Sequence, residues 1–314
     1  EKFTLNEINF NNIEKENKYA ETMMSGTEGL QNEIYDEFLS RIENSKDTVP
    51  ALFNGWYYWL AFESKDSKYP IHYRSADFDV DSYLENPKYL NISDNVILDV
   101  NELARDKDFC DVGTLCPNKN NNILVYSVDN NGSELYNIFF LDLETNELME
   151  HSIENIMYGD ADWGLEDNII YFTRHGDANR INQIWCYDLN TKTEIKIYEE
   201  TNILFNIGIQ QCNSGKFMFI TSSCSDSSKT YFIEKSDPHN ITLIRNTVEN
   251  VLYSVEHHED YFYILTNEDN CVNFKLMKAL VNDFDYWEDV LPYNSNHYLT
   301  GLSPLNDFIL IHMR

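Results

Sequence analysis

The run Ile169-Ile170-Tyr171-Phe172-Thr173 is made of β-branched and aromatic residues and follows the polar turn Glu166-Asp167-Asn168. Side chains of this kind suit a strand buried on both faces, because no alternate polar residue marks a solvent side. Equivalent runs recur along the chain. Ile123-Leu124-Val125-Tyr126-Ser127-Val128 precedes it, and Lys216-Phe217-Met218-Phe219-Ile220-Thr221, Tyr261-Phe262-Tyr263-Ile264-Leu265-Thr266 and Phe308-Ile309-Leu310-Ile311 follow. Their starts at 123, 169, 216, 261 and 308 are separated by 46, 47, 45 and 47 residues. A polar turn leads into each one, and a second strand follows each complete run, at Leu135 to Leu141, Gln183 to Tyr187, Thr230 to Ile233 and Val272 to Met277. Two of these second strands enter closely similar turns, Asp142-Leu143-Glu144-Thr145-Asn146-Glu147 and Asp188-Leu189-Asn190-Thr191-Lys192-Thr193-Glu194. A further strand, such as Glu194 to Tyr198, closes the unit.

Four short strands recurring every ~45 residues predict an all-β fold, a β-propeller of four-stranded blades. Each blade is a small twisted sheet that buries its faces only against its neighbours, which accounts for apolar runs without alternation. An earlier, longer unit runs from Trp56 through Tyr69-Pro70-Ile71-His72-Tyr73-Arg74 to Val96-Ile97-Leu98-Asp99-Val100, its extra length being a surface loop at Asp77 to Asn95. Five blades are expected at about 50–105, 108–153, 157–200, 203–247 and 251–292, and a sixth begins near 298 and stops after two strands. Upstream, Leu30, Ile34, Phe38 and Ile42 lie four apart, the spacing of a helical face, within a helical stretch expected over Glu14 to Ile42 and ended by Val49-Pro50. The domain reading is therefore a short N-terminal helical arm at 1–49 and an incomplete propeller at 50–314.

The 314 residues include 42% hydrophobic and 14% aromatic side chains, enough to bury a large core. With 23 Lys+Arg against 53 Asp+Glu, the net charge is -30. Such a surface repels nucleic-acid phosphates and anionic lipid, so neither is an expected partner. The longest apolar stretch, Trp56 to Phe62, is too short to cross a bilayer. Glu1-Lys2-Phe3-Thr4 has no initiator Met and no apolar signal core, and reads as an internal start. Six scattered cysteines with no C-x-x-C pair read as packed thiols of a cytoplasmic protein. Sequons at Asn91, Asn131 and Asn240 carry no weight in so Asn-rich a chain.

Catalytic patterns are missing. No phosphate-binding glycine loop is present, and neither a cofactor nor a metal is expected. His257-His258-Glu259-Asp260 lacks metal-ligand spacing and reads as a solvated turn between strands. Asp77-Phe78-Asp79-Val80-Asp81 starts like a calcium loop but has Ser82 and Lys88 where an EF-hand needs Gly and Glu. Gly301-Leu302-Ser303-Pro304-Leu305 is the nearest thing to a serine nucleophile elbow. The residue after such a nucleophile must give a backbone N–H to the oxyanion hole, and Pro304 has none. No catalytic residue is assigned.

Several ordered segments resemble a known family. Glu16 to Tyr19, Glu33 to Ile42 and Asp47-Thr48-Val49-Pro50 resemble the propeller entry of the prolyl oligopeptidase family of serine peptidases. Tyr69 to Arg74, Ile97 to Ala104, Tyr126 to Asp129 with Gly132-Ser133-Glu134-Leu135-Tyr136, and Val255 to His257 with Tyr263 to Asn267 and Asn273 to Leu276 resemble its oligopeptidase B branch. The resemblance runs from about Glu14 to Arg314. It implies a seven-bladed propeller, here truncated in the sixth blade, that gates an α/β-hydrolase domain in cis. The hydrolase half would carry Ser, Asp and His, outside these residues, and would cleave short peptides after Lys or Arg. On this reading the acidity concentrates basic peptides, and Glu134 contacts the hydrolase domain. The alternatives are a generically acidic surface and a Glu134 that pins a blade turn. A stand-alone acidic propeller serving as an interaction scaffold is the competing reading of the whole chain.

Overall fold

The computed structural model describes residues 7–42, 47–64, 67–85, 96–158, 160–176 and 180–314. The start at Glu1 to Thr4, Asn91, Lys88 and residues 86–95 of the loop expected at Asp77 to Asn95 lie outside the described residues. The chain forms two compact units, Glu1–Leu103 and Ala104–Arg314.

In the first unit the helical stretch is two helices, α1 (Glu7–Met24) and α2 (Glu28–Arg41). It starts earlier than the expected Glu14 and breaks at Ser25-Gly26-Thr27, where Thr27 N–H bonds the Met24 carbonyl at 2.9 Å. The apolar face is present on α2, but Leu30, Ile34 and Phe38 are exposed. Strands β1 (Ala51–Phe53), β2 (Trp56–Ala61), β3 (Ile71–Ser75) and β4 (Val96–Asp99) make one antiparallel sheet in sequence order, with helix α3 (Val80–Glu85) between the last two strands and α4 (Val100–Leu103) after them. Asn54 and Gly55 both have positive φ, the geometry of a tight hairpin between β1 and β2. Trp59 stacks on Tyr73 with centroids 5.5 Å apart, and Phe78 and Tyr83 close over them.

The second unit repeats one pattern. Its sheets are β5 (Asp111–Pro117), β6 (Ile123–Asp129), β7 (Leu135–Asp142), β8 (Glu147–Met157); β9 (Ala161–Trp163), β10 (Ile169–His175), β11 (Ile181–Asp188), β12 (Thr193–Glu199); and β13 (Asn206–Gln211), β14 (Phe217–Ser223), β15 (Ser228–Glu234), β16 (Asp237–Arg245). Then come β17 (Tyr253–His258), β18 (Tyr261–Thr266), β19 (Lys275–Leu280), β20 (Asp283–Leu291) and the pair β21 (Leu299–Pro304), β22 (Ile309–Met313). All sheets are antiparallel meanders. The five four-stranded sheets coincide with the expected blades, and the two strands after 298 with the sixth.

In the second unit the cores lie in the seams between successive sheets. Ile170 and Phe172 of β10 pack with Val125, Ile138 and Phe140 of the sheet before, while Ile169 and Tyr171 pack with Ile207, Ile209, Met218 and Ile220 of the sheet after. Neighbouring residues of one strand thus enter different seams, which is why the run carries no polar alternation. The next seam is aromatic, with Phe217, Phe219 and Phe232 against Phe262. Outer strands such as β12, facing water, carry Thr193, Glu194, Lys196 and Glu199.

Candidate functional site

Because each sheet in the second unit runs in sequence order, its connections sort to two rims. One rim joins the sheet-to-sheet linkers to the hairpin turns after each second strand. Tyr158 N–H bonds the Glu134 carbonyl at 2.9 Å, Ser228 N–H bonds Val251 at 3.1 Å and Leu299 N–H bonds Asn273 at 3.0 Å. The opposite rim joins the remaining hairpin turns, with Leu143 N–H to Asn122 and Leu189 N–H to Asn168 both at 2.8 Å.

The linker rim exposes apolar side chains from every linker of this unit. Ile203 is 79% exposed and Leu204 70%, and Phe109, Tyr158, Val248 and Tyr293 are exposed in the other linkers. Val272, on a hairpin turn of the same rim, is 68% exposed. On the opposite rim Leu148, Leu280, Leu305 and Phe308 are exposed. Each successive linker thus contributes at least one exposed apolar side chain to this rim.

Glu134 lies on the linker rim, in the turn between β6 and β7. It is exposed with φ 61°, and its backbone rather than its carboxylate is anchored. The anchor is the buried Asp129 carboxylate, which accepts N–H bonds from Asn131 at 2.9 Å, Gly132 at 3.1 Å and Glu134 at 2.8 Å. Tyr136 donates to Asp111 just below, and its phenol is raised by burial and then by that acceptor.

Polar groups also gather inside the seams. Glu200 is 3% exposed, and its carboxylate accepts from Ser222 Oγ at 2.6 Å, Tyr198 OH at 2.7 Å, Asn202 N–H at 2.9 Å and Lys229 Nζ at 2.9 Å. Burial would raise this carboxyl, but the four donors outweigh it and carry it down to about 2. Glu256 is the opposite case. Burial pushes it up to about 6, and its Oε2 has no hydrogen-bond partner among the described residues.

His257 corrects the expectation of a solvated turn. His257 and His258 both belong to β17, and His257 is 1% exposed. Its Nδ1 lies 2.7 Å from Ser214 Oγ, which is 3.0 Å from Cys212 Sγ. Burial and then Lys216 lower the imidazole to about 4. Both residues border a cavity of about 730 Å³ on the rim opposite the linkers, with Asn213, His258, Leu305 and Phe308. This pairing lacks the parts of a catalytic centre: the imidazole is a weak base, and the Gly215 N–H that would face an oxyanion is bonded to the Cys212 carbonyl at 2.9 Å.

Ser303 lies at the end of β21, with its Oγ 2.8 Å from His312 Nε2. Pro304 still denies it the oxyanion donor. Asp79, from the calcium-like stretch, instead caps α3, accepting Ser82 N–H at 3.1 Å and Ser82 Oγ–H at 2.7 Å. Among the described residues no three His, Cys, Asp or Glu side chains come together as a metal site, and no helix is long and apolar enough to cross a membrane. All six cysteines are free thiols. Asp129 and Glu256 fall in segments that carry the resemblance, but sequence reasoning gave neither a role, and Glu200 lies in no segment that it singled out.

Comparison with known proteins agrees with this architecture. The family described as prolyl oligopeptidase, N-terminal beta-propeller domain, matches residues 8–314. Protease 2 of Moraxella lacunata is 29% identical over 303 residues, covering 95% of this chain and 43% of the relative. Dipeptidyl aminopeptidase BI of Pseudoxanthomonas mexicana is 26% identical over 312 residues, covering 96% of this chain and 43% of the relative. The chain thus spans less than half the length of these curated relatives. Among solved structures, oligopeptidase B from Leishmania major superposes with a TM-score of 0.84 at 22% identity, over 98% of this chain and 43% of that one. Oligopeptidase B from Trypanosoma brucei, closed with covalently bound antipain, gives 0.83 at 22% identity, over 100% of this chain and 44% of that one.

Proposed function

Since the chain belongs to the prolyl oligopeptidase N-terminal β-propeller family, we propose that it is the non-catalytic, substrate-filtering part of a serine oligopeptidase of the oligopeptidase B kind. It works with an α/β-hydrolase domain in the same polypeptide, which hydrolyses short peptides after Lys or Arg. The observation that carries this reading is the linker rim, where Ile203, Leu204 and Val272 stand exposed on the same side of the unit as the turn that carries Glu134. A second domain docked there covers the apolar side chains, and Glu134 meets it directly. The net charge of -30 supports selection of basic peptides by raising their encounter rate, an effect of roughly ten-fold or more at low salt. Six free thiols support a cytoplasmic setting.

The test is turnover of a blocked fluorogenic peptide containing Arg-Arg by the protein isolated from its source cell. Cleavage that a serine-directed reagent abolishes is the expected result. The likeness to dipeptidyl aminopeptidase BI favours a second reading, removal of dipeptides from a free amino terminus. Turnover of the unblocked peptide alone would select that reading, and inertness toward both would leave an acidic interaction scaffold.

A further inference from the structure

The turn between β6 and β7 holds the parts of a reaction on itself. We infer that Asn131 is a site of self-catalysed deamidation, in which the Gly132 amide nitrogen attacks the Asn131 side chain to form a succinimide.

Four hydrogen bonds assemble this chemistry. The nucleophile is the Gly132 nitrogen, whose N–H points at Asp129 Oδ1 at 3.1 Å, within the range over which a carboxylate acts as general base. The electrophile is Asn131 Cγ. Its Oδ1 accepts the Ser133 N–H at 3.0 Å, a fixed donor where negative charge develops as the carbonyl is attacked. Gly132 has φ 73° and no Cβ, so nothing on the attacking residue blocks approach. The base is held in place: Asp129 is 2% exposed and is tied by two further N–H bonds, from Asn131 at 2.9 Å and Glu134 at 2.8 Å. Asn131, Gly132 and Ser133 are exposed, so water reaches the product.

The steps balance. A bond forms between the Gly132 nitrogen and Asn131 Cγ as the amide proton passes to Asp129. The tetrahedral oxyanion collapses, the Cγ–Nδ2 bond breaks, and the nitrogen leaves as ammonia with the proton from Asp129. Water then opens the imide. Cleavage at Cγ gives aspartate, and cleavage at the backbone carbonyl gives isoaspartate, with the backbone lengthened by one methylene. No oxidant or cofactor is required. Either product adds a carboxylate to the turn that presents Glu134.

The chain carries its own reference, Asn54-Gly55 in the hairpin between β1 and β2. The experiment incubates the folded protein at mildly alkaline pH in isotopically heavy water. Peptide mapping with fragmentation that separates aspartate from isoaspartate then follows residues 131 and 54. Conversion at 131 several-fold faster than at 54 is expected. Asp129→Asn, which retains an acceptor but no base, brings residue 131 to the rate of residue 54 or below. In concentrated urea, where both pairs lie in unfolded chain, the two rates converge. Equal rates in the folded protein overturn the inference. So does an advantage at 131 that persists in urea, or one that survives Asp129→Asn in a variant whose near-UV circular dichroism is unchanged.

Discussion

Two carboxylates, the buried Glu200 and the half-buried Glu256, show how a single side chain takes its charge state from its surroundings. Glu200 has four donors and is held at about 2, below its ordinary 4.5. A depressed carboxyl contributes stability that is complete above its unfolded value and is lost as pH falls toward the folded one, here between about 4.5 and about 2. The shift corresponds to roughly 3 kcal/mol. Glu200→Gln, which also takes the counter-charge from the half-buried Lys229, is expected to lower the urea midpoint strongly at neutral pH and by much less at pH near 2. Glu256 has the reverse sign. Its folded value is raised from 4.5 to about 6, so the folded state loses stability as pH rises through that window. Glu256→Gln is expected to stabilise the protein at neutral pH and to be nearly neutral below about pH 4. Paired urea titrations at the two pH values check both signs.

Within an element, the spacing of buried side chains leaves little room at the corners. Gly164, just after β9, accepts no side chain: a Cβ there would lie 2.9 Å from Ile169 Cγ2 and 2.9 Å from Tyr171 Cε2. Those two residues belong to the run that fixes β10, and they cannot withdraw without opening the seam to β13 and β14. Gly164→Ala is therefore expected to cost about 1–3 kcal/mol by overpacking, read as a lower thermal midpoint. The runs themselves were legible because each strand's burial follows from its own residues. Helices α1 and α2 were legible as helix but not as two, since the break at Ser25-Gly26-Thr27 lacks a proline and leaves the polar composition unchanged.

For the whole molecule, the distribution of exposed apolar groups sets the functional expectation. The linker rim collects them from segments that are far apart in sequence, Phe109 to Tyr293. Replacing Ile203 and Leu204 by Ser leaves the seams intact, because both side chains are already exposed. In the protein as isolated from its source, the double variant is expected to lose peptide turnover several-fold while its thermal midpoint is retained. Glu134→Gln is expected to lower turnover as well, with an unchanged midpoint. Turnover equal to the unmodified protein in both variants would remove the linker rim as the docking surface.

The sequence by itself determined the repeat, the four-stranded unit and the resemblance to prolyl oligopeptidases. Those signals are local, because a strand buried on both faces must be apolar throughout, and the period between such strands is counted directly. The tertiary structure alone decided which polar groups matter. His257 meets Ser214 across 43 residues of sequence and Glu200 meets Ser222 across 22, one blade joined to the next. A polar side chain is buried or solvated according to what the neighbouring sheet brings to it. That partner is fixed by the stacking of blades, so His257 read as a solvated turn until the sheet before it was in place.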